Sequence, residues 1–262
     1  MSAAAAAVLS IVILAAPGEW TNSVVNALDD RFTIEAIILE KPVSRLTRVK
    51  RRAAHIGVVR EADQVAFSAL VVPMLRWRAR GRLASLRHRL GADREVPSDR
   101  VVHVDSVNSQ EVIDELRRRD PTLVLVSGTR VISEEVINSV PAPFVNMHAG
   151  ITPRYRGVHG AYWALAEGRP ESAGVTVHLI DPGIDTGPIL RQARVAPSAE
   201  DSFVTYPYLQ LEAGLPILAE VIDDALQGHV DPVESLDATE SHLWYHPGAI
   251  DYLVRRRHAG VR

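Results

Sequence analysis

The chain has 262 residues, 47% of them hydrophobic, which is enough apolar material for one large domain or for one domain with an appendage. A formal net charge of −3 predicts no general affinity for nucleic acid, and no run is long enough to cross a membrane as a helix. Cys is absent, which excludes disulfides and thiol nucleophiles and fits a reducing compartment, here expected to be the cytoplasm.

The opening MSAAAAAVLSIVILAAPG has no positive start, and its apolar part is short and rich in Val and Ile. It therefore reads as a buried strand over Val8 to Ala15 and not as a signal peptide. The turn Pro17-Gly18-Glu19-Trp20 leads to a helix starting near Thr21 or Asn22, and Thr33 to Leu39 reads as a second strand. Residues 41 to 94 then carry 14 Lys and Arg against three acids, a net of +11 that leaves −14 on the rest of a chain whose total is −3. An apolar run, VAFSALVVPMLRW, lies inside this basic helical stretch and is interrupted by Pro73. Three readings stay open for it: a helical hairpin over an acidic face of its own domain, self-association as a homodimer, or peripheral contact with an anionic membrane or polyanionic partner. Val101 to Val104 follows as a strand, Ser109 to Arg119 as a helix, and Thr122 to Val126 as an interior strand. Ser133 to Ser139 and Ala161 to Glu167 read as short helices, and Ala142 to Met147, Gly174 to Ile180 and Ile189 to Val195 as strands. A longer helix covers Phe203 to Gln227, where Pro207 and Pro216 should bend or interrupt it. Such alternation predicts an α/β fold, a Rossmann-like, mainly parallel sheet with helices on both faces and a ligand crevice beyond the carboxyl ends of its strands.

The densest chemistry lies in FVNMHAGITPRYRGVHGAYWALAEG and GVTVHLIDPGIDTGPIL. Side chains two apart on a strand point the same way, so Asn146 and His148 stand together at a strand end. The next strand delivers His178, and the loop after it can swing Asp185 against His148. Taken singly, each has a bland reading: a turn-forming Asn, a surface histidine, an ordinary Asp-Thr-Gly turn, a strand histidine packed for its own sake. His159 reads as the start of a helix facing an acceptor. With no Cys among the 262 residues to complete a ligand set, no metal site is expected.

The order Asn-x-His (Asn146, His148), Pro-x-Tyr-x-Gly (Pro153, Tyr155, Gly157), Gly-x-Thr-x-His (Gly174, Thr176, His178) and Asp-x-Gly (Asp185, Gly187) resembles the 10-formyltetrahydrofolate-dependent formyltransferase family. LVLVSGTRVIS, Leu123 to Ser133, is similar to the family's folate-pocket strand and loop, and AEDSFVTYPYLQLEAGLPILAEVIDDAL to its long helix after the site. The likeness covers residues 101 to 228, more weakly 9 to 40. It implies a catalytic domain over 1–228 with 41–94 as an insertion, a C-terminal extension over 229–262, and 10-formyltetrahydrofolate as co-substrate. It also implies catalysis by Asn146, His148 and Asp185, a folate pocket of Thr129, Arg130, Val131, Ile132, His178, Asp181, Gly183 and Ile184, and acceptor contacts by Tyr155, Arg156, Gly157 and His159. Direct transfer to an amine develops an oxyanion that Asn146 and a charged His148 can stabilise, while Asp185 accepts the amine's proton and raises the His148 pKa.

Departures bear on the acceptor. Glycinamide ribonucleotide enzymes have a Gly- and Ser-rich first turn that cradles a phosphate, and here Glu19 would repel one. A tRNA formyltransferase carries a further oligonucleotide-binding domain, which about 35 residues after Gln227 cannot build. A small-molecule amine is therefore expected, a sugar amine carried on a nucleotide. Gly150 stands where the family has a hydroxyl residue in Pro-Ser-Leu-Leu-Pro. No motif residue falls in 41–94, so arginines 76, 78, 80 and 82 are expected to lie away from the chemistry. The stretch Ser241 to Arg262, which mixes aromatics with Arg255, Arg256 and Arg257, reads equally as a cap on the acceptor pocket or as a packing tail. Glycinamide ribonucleotide formylation, hydrolysis of the folate to formate, and a noncatalytic subunit that recruits partners through 41–94 remain as alternatives.

Overall fold

The computed structural model describes residues 9–44, 47, 57–237 and 240–261; Val8 and residues 45–46 and 48–56, on which sequence expectations fall, lie outside them. Among the described residues, seven strands form one sheet in the order β3 (Val101–Val104), β2 (Ile34–Glu40), β1 (Ile11–Ala15), β4 (Leu123–Ser127), β5 (Phe144–His148), β7 (Gly174–Leu179), β8 (Ile189–Arg194). The first five are parallel, and β7 and β8 add as antiparallel strands. Two short strands, β6 (Arg156–Gly157) and β9 (Leu243–Trp244), pair separately.

Every residue of β1 and β4 is buried, because helices cover both faces and leave no side for polar side chains. Alternation survives in where those side chains go. Ile11, Ile13 and Ala15 join a core with α1 (Glu19–Leu28) and α8 (Tyr206–Leu226), whereas Val12 and Leu14 join one with α5 (Gln110–Arg119) and α6 (Glu134–Ile137). The long helix α8 is neither interrupted nor begun at Phe203. Pro207 sits in its first turn, where its missing N–H has no intrahelical partner to lose. Pro216 stays inside a continuous helix, since Leu211, Leu218, Val221 and Ile222 bury against the sheet and outweigh one lost backbone bond. The helix expected over Ser133–Ser139 is only the single turn α6, and α1 starts at Glu19, earlier than expected.

In the basic stretch, α2 (Val58–Ala66), a π-turn (Phe67–Val71) and α3 (Val72–Arg78) run on without a gap, and α4 (Arg80–Arg89) follows a break at Ala79. Phe67, Val71, Leu75 and Leu86 enter a third core with α7 (Gly160–Ala166), Phe203, and Tyr252 of α9 (Ala249–His258). Phe67 meets Phe203 edge to face at 4.9 Å between ring centroids. Ion pairs from Arg82 to Asp201, Arg87 to Glu19 and Arg89 to Glu212 join the same stretch to the rest of the domain. No helix among the described residues is long and apolar enough to cross a membrane.

Candidate active site

β5 and β7 lie side by side in antiparallel register, with Asn146 opposite His178 and His148 opposite Thr176. Asn146 and His148 share a face, as their spacing requires. The loop between β7 and β8 brings Asp185 back over them with φ 51°, in the left-handed region. That conformation costs an aspartate about 1 kcal/mol and is held by its contacts. Asp185 Oδ2 accepts the Gly157 N–H at 2.9 Å and lies 3.3 Å from His148 Nδ1, while Oδ1 lies 3.7 Å from His178 Nε2. One carboxylate thus serves two imidazoles. Gly157 is itself at φ 91°, which a side chain would resist.

Backbone carbonyls only accept, and that decides which ring nitrogens carry hydrogen. His178 Nδ1–H donates to Leu179 O at 2.8 Å, leaving Nε2 to accept from Asn146 Nδ2 at 3.1 Å. The second N–H of that amide stays available to the crevice. His148 Nε2–H donates to Tyr155 O at 2.7 Å, so Nδ1 is the nitrogen that faces Asp185. Gly150 belongs to this arrangement. A Cβ there would stand 2.2 Å from Tyr155 O and 2.7 Å from His148 Nε2, so the family's hydroxyl residue has no room in this loop.

His148 is 6% exposed and His178 3%. Burial pulls the His148 pKa below the ordinary histidine value of 6.5 and outweighs the pull of Asp185 and the Tyr155 carbonyl in the other direction. The expected rise from Asp185 is therefore reversed. For Asp185, burial works upward, but His148 in its protonated form and the Gly157 N–H outweigh it and hold the carboxyl down at about 2. Asp185 is then a firm carboxylate and, alone, too weak a base to keep an amine's proton.

These groups open into a crevice of about 650 Å³. Thr129, Arg130, Val131, Ile132, His178, Asp181, Gly183 and Ile184 all line it, as do Gly157 and His159. Its walls combine apolar Val131, Ile132, Ile180 and Ile184 with the polar edge of Asp181, a combination that fits a flat ring with hydrogen-bonding edges, as in a folate. Arg130 is fixed by Glu40, which pairs with its guanidinium at 2.5 Å and accepts its backbone N–H at 2.8 Å. Tyr155 and Arg156, expected to touch the acceptor, do not line the crevice. The Tyr155 ring is fully buried against Trp244, its hydroxyl donates to Glu167 at 2.9 Å, and only its carbonyl serves the site. Arg156 donates to Ile184 O at 3.1 Å and so steadies the loop that carries Asp185.

Several lining residues carried no sequence motif. Trp20 comes from α1, Gln64 from α2, Pro207 and Gln210 from α8, and Leu243 to His246 from the C-terminal stretch. Gln64 Nε2 donates to His246 O at 2.6 Å, so the insertion and the tail meet at the crevice wall. His246 also approaches His159, Nδ1 to Nε2, at 2.9 Å. The aromatic and histidine content of SHLWYHPG was the available signal for the tail; Gln64 had none.

Residues 36–222 match the family described as Formyl transferase, and the chain belongs to that family. Its members are enzymes that transfer formyl groups, and 10-formyltetrahydrofolate is their formyl donor. In sequence the chain is similar to a methionyl-tRNA formyltransferase of Pelobacter propionicus, 29% identical over 168 residues that cover 62% of this chain and 52% of the relative. The chain spans about half the length of the curated relatives it matches. In structure it is similar to a sugar N-formyltransferase of a Shewanella species, with TM-score 0.55, 14% identity, and coverage of 89% of this chain and 76% of that one. Glycinamide ribonucleotide transformylase 1 of Symbiobacterium toebii gives TM-score 0.56 at 18% identity, covering 87% and 92%. At these identities the structural likeness attests the fold.

Proposed function

We propose that this protein is an N-formyltransferase that moves the formyl group of 10-formyltetrahydrofolate to the amine of a small acceptor, a nucleotide-linked amino sugar. The observation that carries the reading is the convergence of Asn146, His148 and Asp185, with His178 behind them, at one end of a single crevice. When bound, the folate supplies the carbonyl carbon that the amine attacks. The free N–H of Asn146, aimed by His178, meets negative charge developing on the formyl oxygen. Neutral His148 and ionised Asp185 act as a couple: a proton lost by the amine, directly or through one water, is held between Nδ1 and Oδ2 and is given up to the departing folate nitrogen as its bond to the formyl carbon breaks. Thr129 to Ile132 and Asp181 to Ile184 hold the donor, and His159 with the 243–246 stretch walls the acceptor side.

Incubation with 10-formyltetrahydrofolate and a panel of amino-sugar nucleotides, glycinamide ribonucleotide and methionyl-tRNA, read by product mass, tests this reading. Methionyl-tRNA is included because the matched sequence relatives bear that name. Formylated amino-sugar nucleotide is the expected product. Product from glycinamide ribonucleotide or methionyl-tRNA alone would overturn the acceptor assignment, and formate release without a formylated amine would replace transfer by hydrolysis. A folate that binds and is never consumed would make the protein a noncatalytic subunit.

A further inference from the structure

A second cavity, of about 600 Å³, adjoins the crevice and shares Trp20, His159 and Pro207 with it. Its opposite wall comes from the basic insertion: Arg76 on α3, and Arg80 and Arg87 on α4. One carboxylate, Glu19, faces these three guanidiniums, and it is already engaged by Arg87 and by the Tyr208 hydroxyl. Arg76 and Arg80 have no carboxylate within 4 Å among the described residues; Arg80 rests over the Trp77 ring and donates to the Trp77 carbonyl at 3.3 Å. The cavity therefore carries uncompensated positive charge in a concave site.

We infer that this cavity binds the phosphate or diphosphate ester of the acceptor, with Arg76 and Arg80 as its ligands. The inference rests on the proposed formyl transfer for the direction in which the acceptor lies. Trp20, His159 and Pro207 line both spaces, so the arginine-lined cavity adjoins the crevice in which Asn146 and His148 would meet the amine. Guanidinium groups suit phosphate oxygens through paired, charge-assisted N–H bonds. Glu19 does not oppose this, because its charge is answered locally by Arg87. The expectation that Glu19 would repel a phosphate took the first turn alone and had no view of the insertion folded against it. Of the four arginines expected to lie away from the chemistry, Arg76 and Arg80 line this cavity, Arg78 does not, and Arg82 turns its guanidinium to Asp201 at 3.0 Å.

The test uses the full chain, with inorganic pyrophosphate as probe in calorimetric titration. Wild type is expected to bind it, and the double variant Arg76→Gln/Arg80→Gln to lose at least about tenfold in affinity. Arg89→Gln, which removes the same charge from α4 at a residue paired with Glu212 outside the cavity, is expected to bind like wild type. In turnover, the double variant should raise KM for a diphosphate-linked amino sugar with kcat kept, and leave the phosphate-free amino sugar unaffected. Equal pyrophosphate affinity in wild type and double variant, equal loss in Arg89→Gln, or no binding to wild type would each overturn the site. Formylation with unchanged KM in the double variant would do so while leaving formyl transfer standing. Pyrophosphate binding that needs both arginines, in a protein that formylates nothing, would keep the site and reject the transferase reading.

Discussion

Two imidazoles share one carboxylate here, and their roles differ because their second nitrogens face different groups. His178 uses its remaining lone pair to orient Asn146, whereas His148 presents Nδ1 to Asp185. Replacing Asn146, His148 or Asp185 by Ala should each lower turnover by at least about a hundredfold with the fold retained, since each removes charge stabilisation or proton transfer. Near-normal rates in a folded variant would remove that residue from the chemistry. The pH profile separates two versions of His148. Burial depresses its pKa, so the neutral ring prevails above it and the proton-accepting form is lost as pH falls through it. Turnover should therefore show an acid limb with its midpoint below 6.5, absent from the residual activity of His148→Gln. A midpoint above 6.5 that vanishes in the variant would show that Asp185 dominates over burial. Gly150→Ser restores the family's hydroxyl residue and places a Cβ 2.2 Å from Tyr155 O. The loop must shift, at a cost of about 1–3 kcal/mol, and it takes the His148 acceptor with it. Thermal unfolding and turnover should both fall; unchanged values for both would mean that the loop yields freely.

At the scale of elements, the insertion is held mainly by aromatic packing. Phe67 is 1% exposed and touches Phe203 and Tyr252, which belong to the segment before α8 and to α9. Truncating such a ring costs about 3–5 kcal/mol, against about 0–1 kcal/mol for an exposed ion pair. Phe67→Ala should lower the unfolding temperature and open the region of α2 to α4 to limited proteolysis. Resistance to protease equal to wild type would assign the anchoring elsewhere. Gln64 rides on the same element, so that variant should also disturb the crevice wall it shares with His246.

Across the whole molecule, a stretch of net +11 lies on a remainder of −14, a distribution that invites an electrostatic account of its docking. The pairs themselves argue for a small share. Arg87–Glu19 and Arg89–Glu212 are both substantially exposed, and among the described residues of the stretch only Arg82 reaches a buried carboxylate, Asp201. Raising salt from about 0.1 to 1 M shortens the screening length from about 10 to 3 Å. The proteolytic pattern over α2 to α4 should nonetheless stay the same. New cleavage there at high salt would show that charge holds the insertion down.

What could be read from the sequence was whatever depends on short-range geometry. The period-two spacing of Asn146 and His148 places them on one face, and the seven residues from His178 to Asp185 span one strand end and one turn, so order and spacing were sufficient to expect their meeting. The parallel sheet followed from the alternation of elements, because a strand buried on both faces must read as a continuous apolar run. Other features were decided by long-range packing, which has no local period. Pro216 within an unbroken α8 depends on what the helix buries, and the lowered His148 pKa depends on burial that a strand pattern cannot measure. Tyr155 left the acceptor list because its ring found Trp244, more than eighty residues further along the chain. Gln64 and His246 reach the crevice, and the three arginines the cavity beside it, only through contacts between distant segments. Such contacts are selected by the shape and chemistry of surfaces that exist only once the chain has folded, so only the tertiary structure could bring these residues to the site.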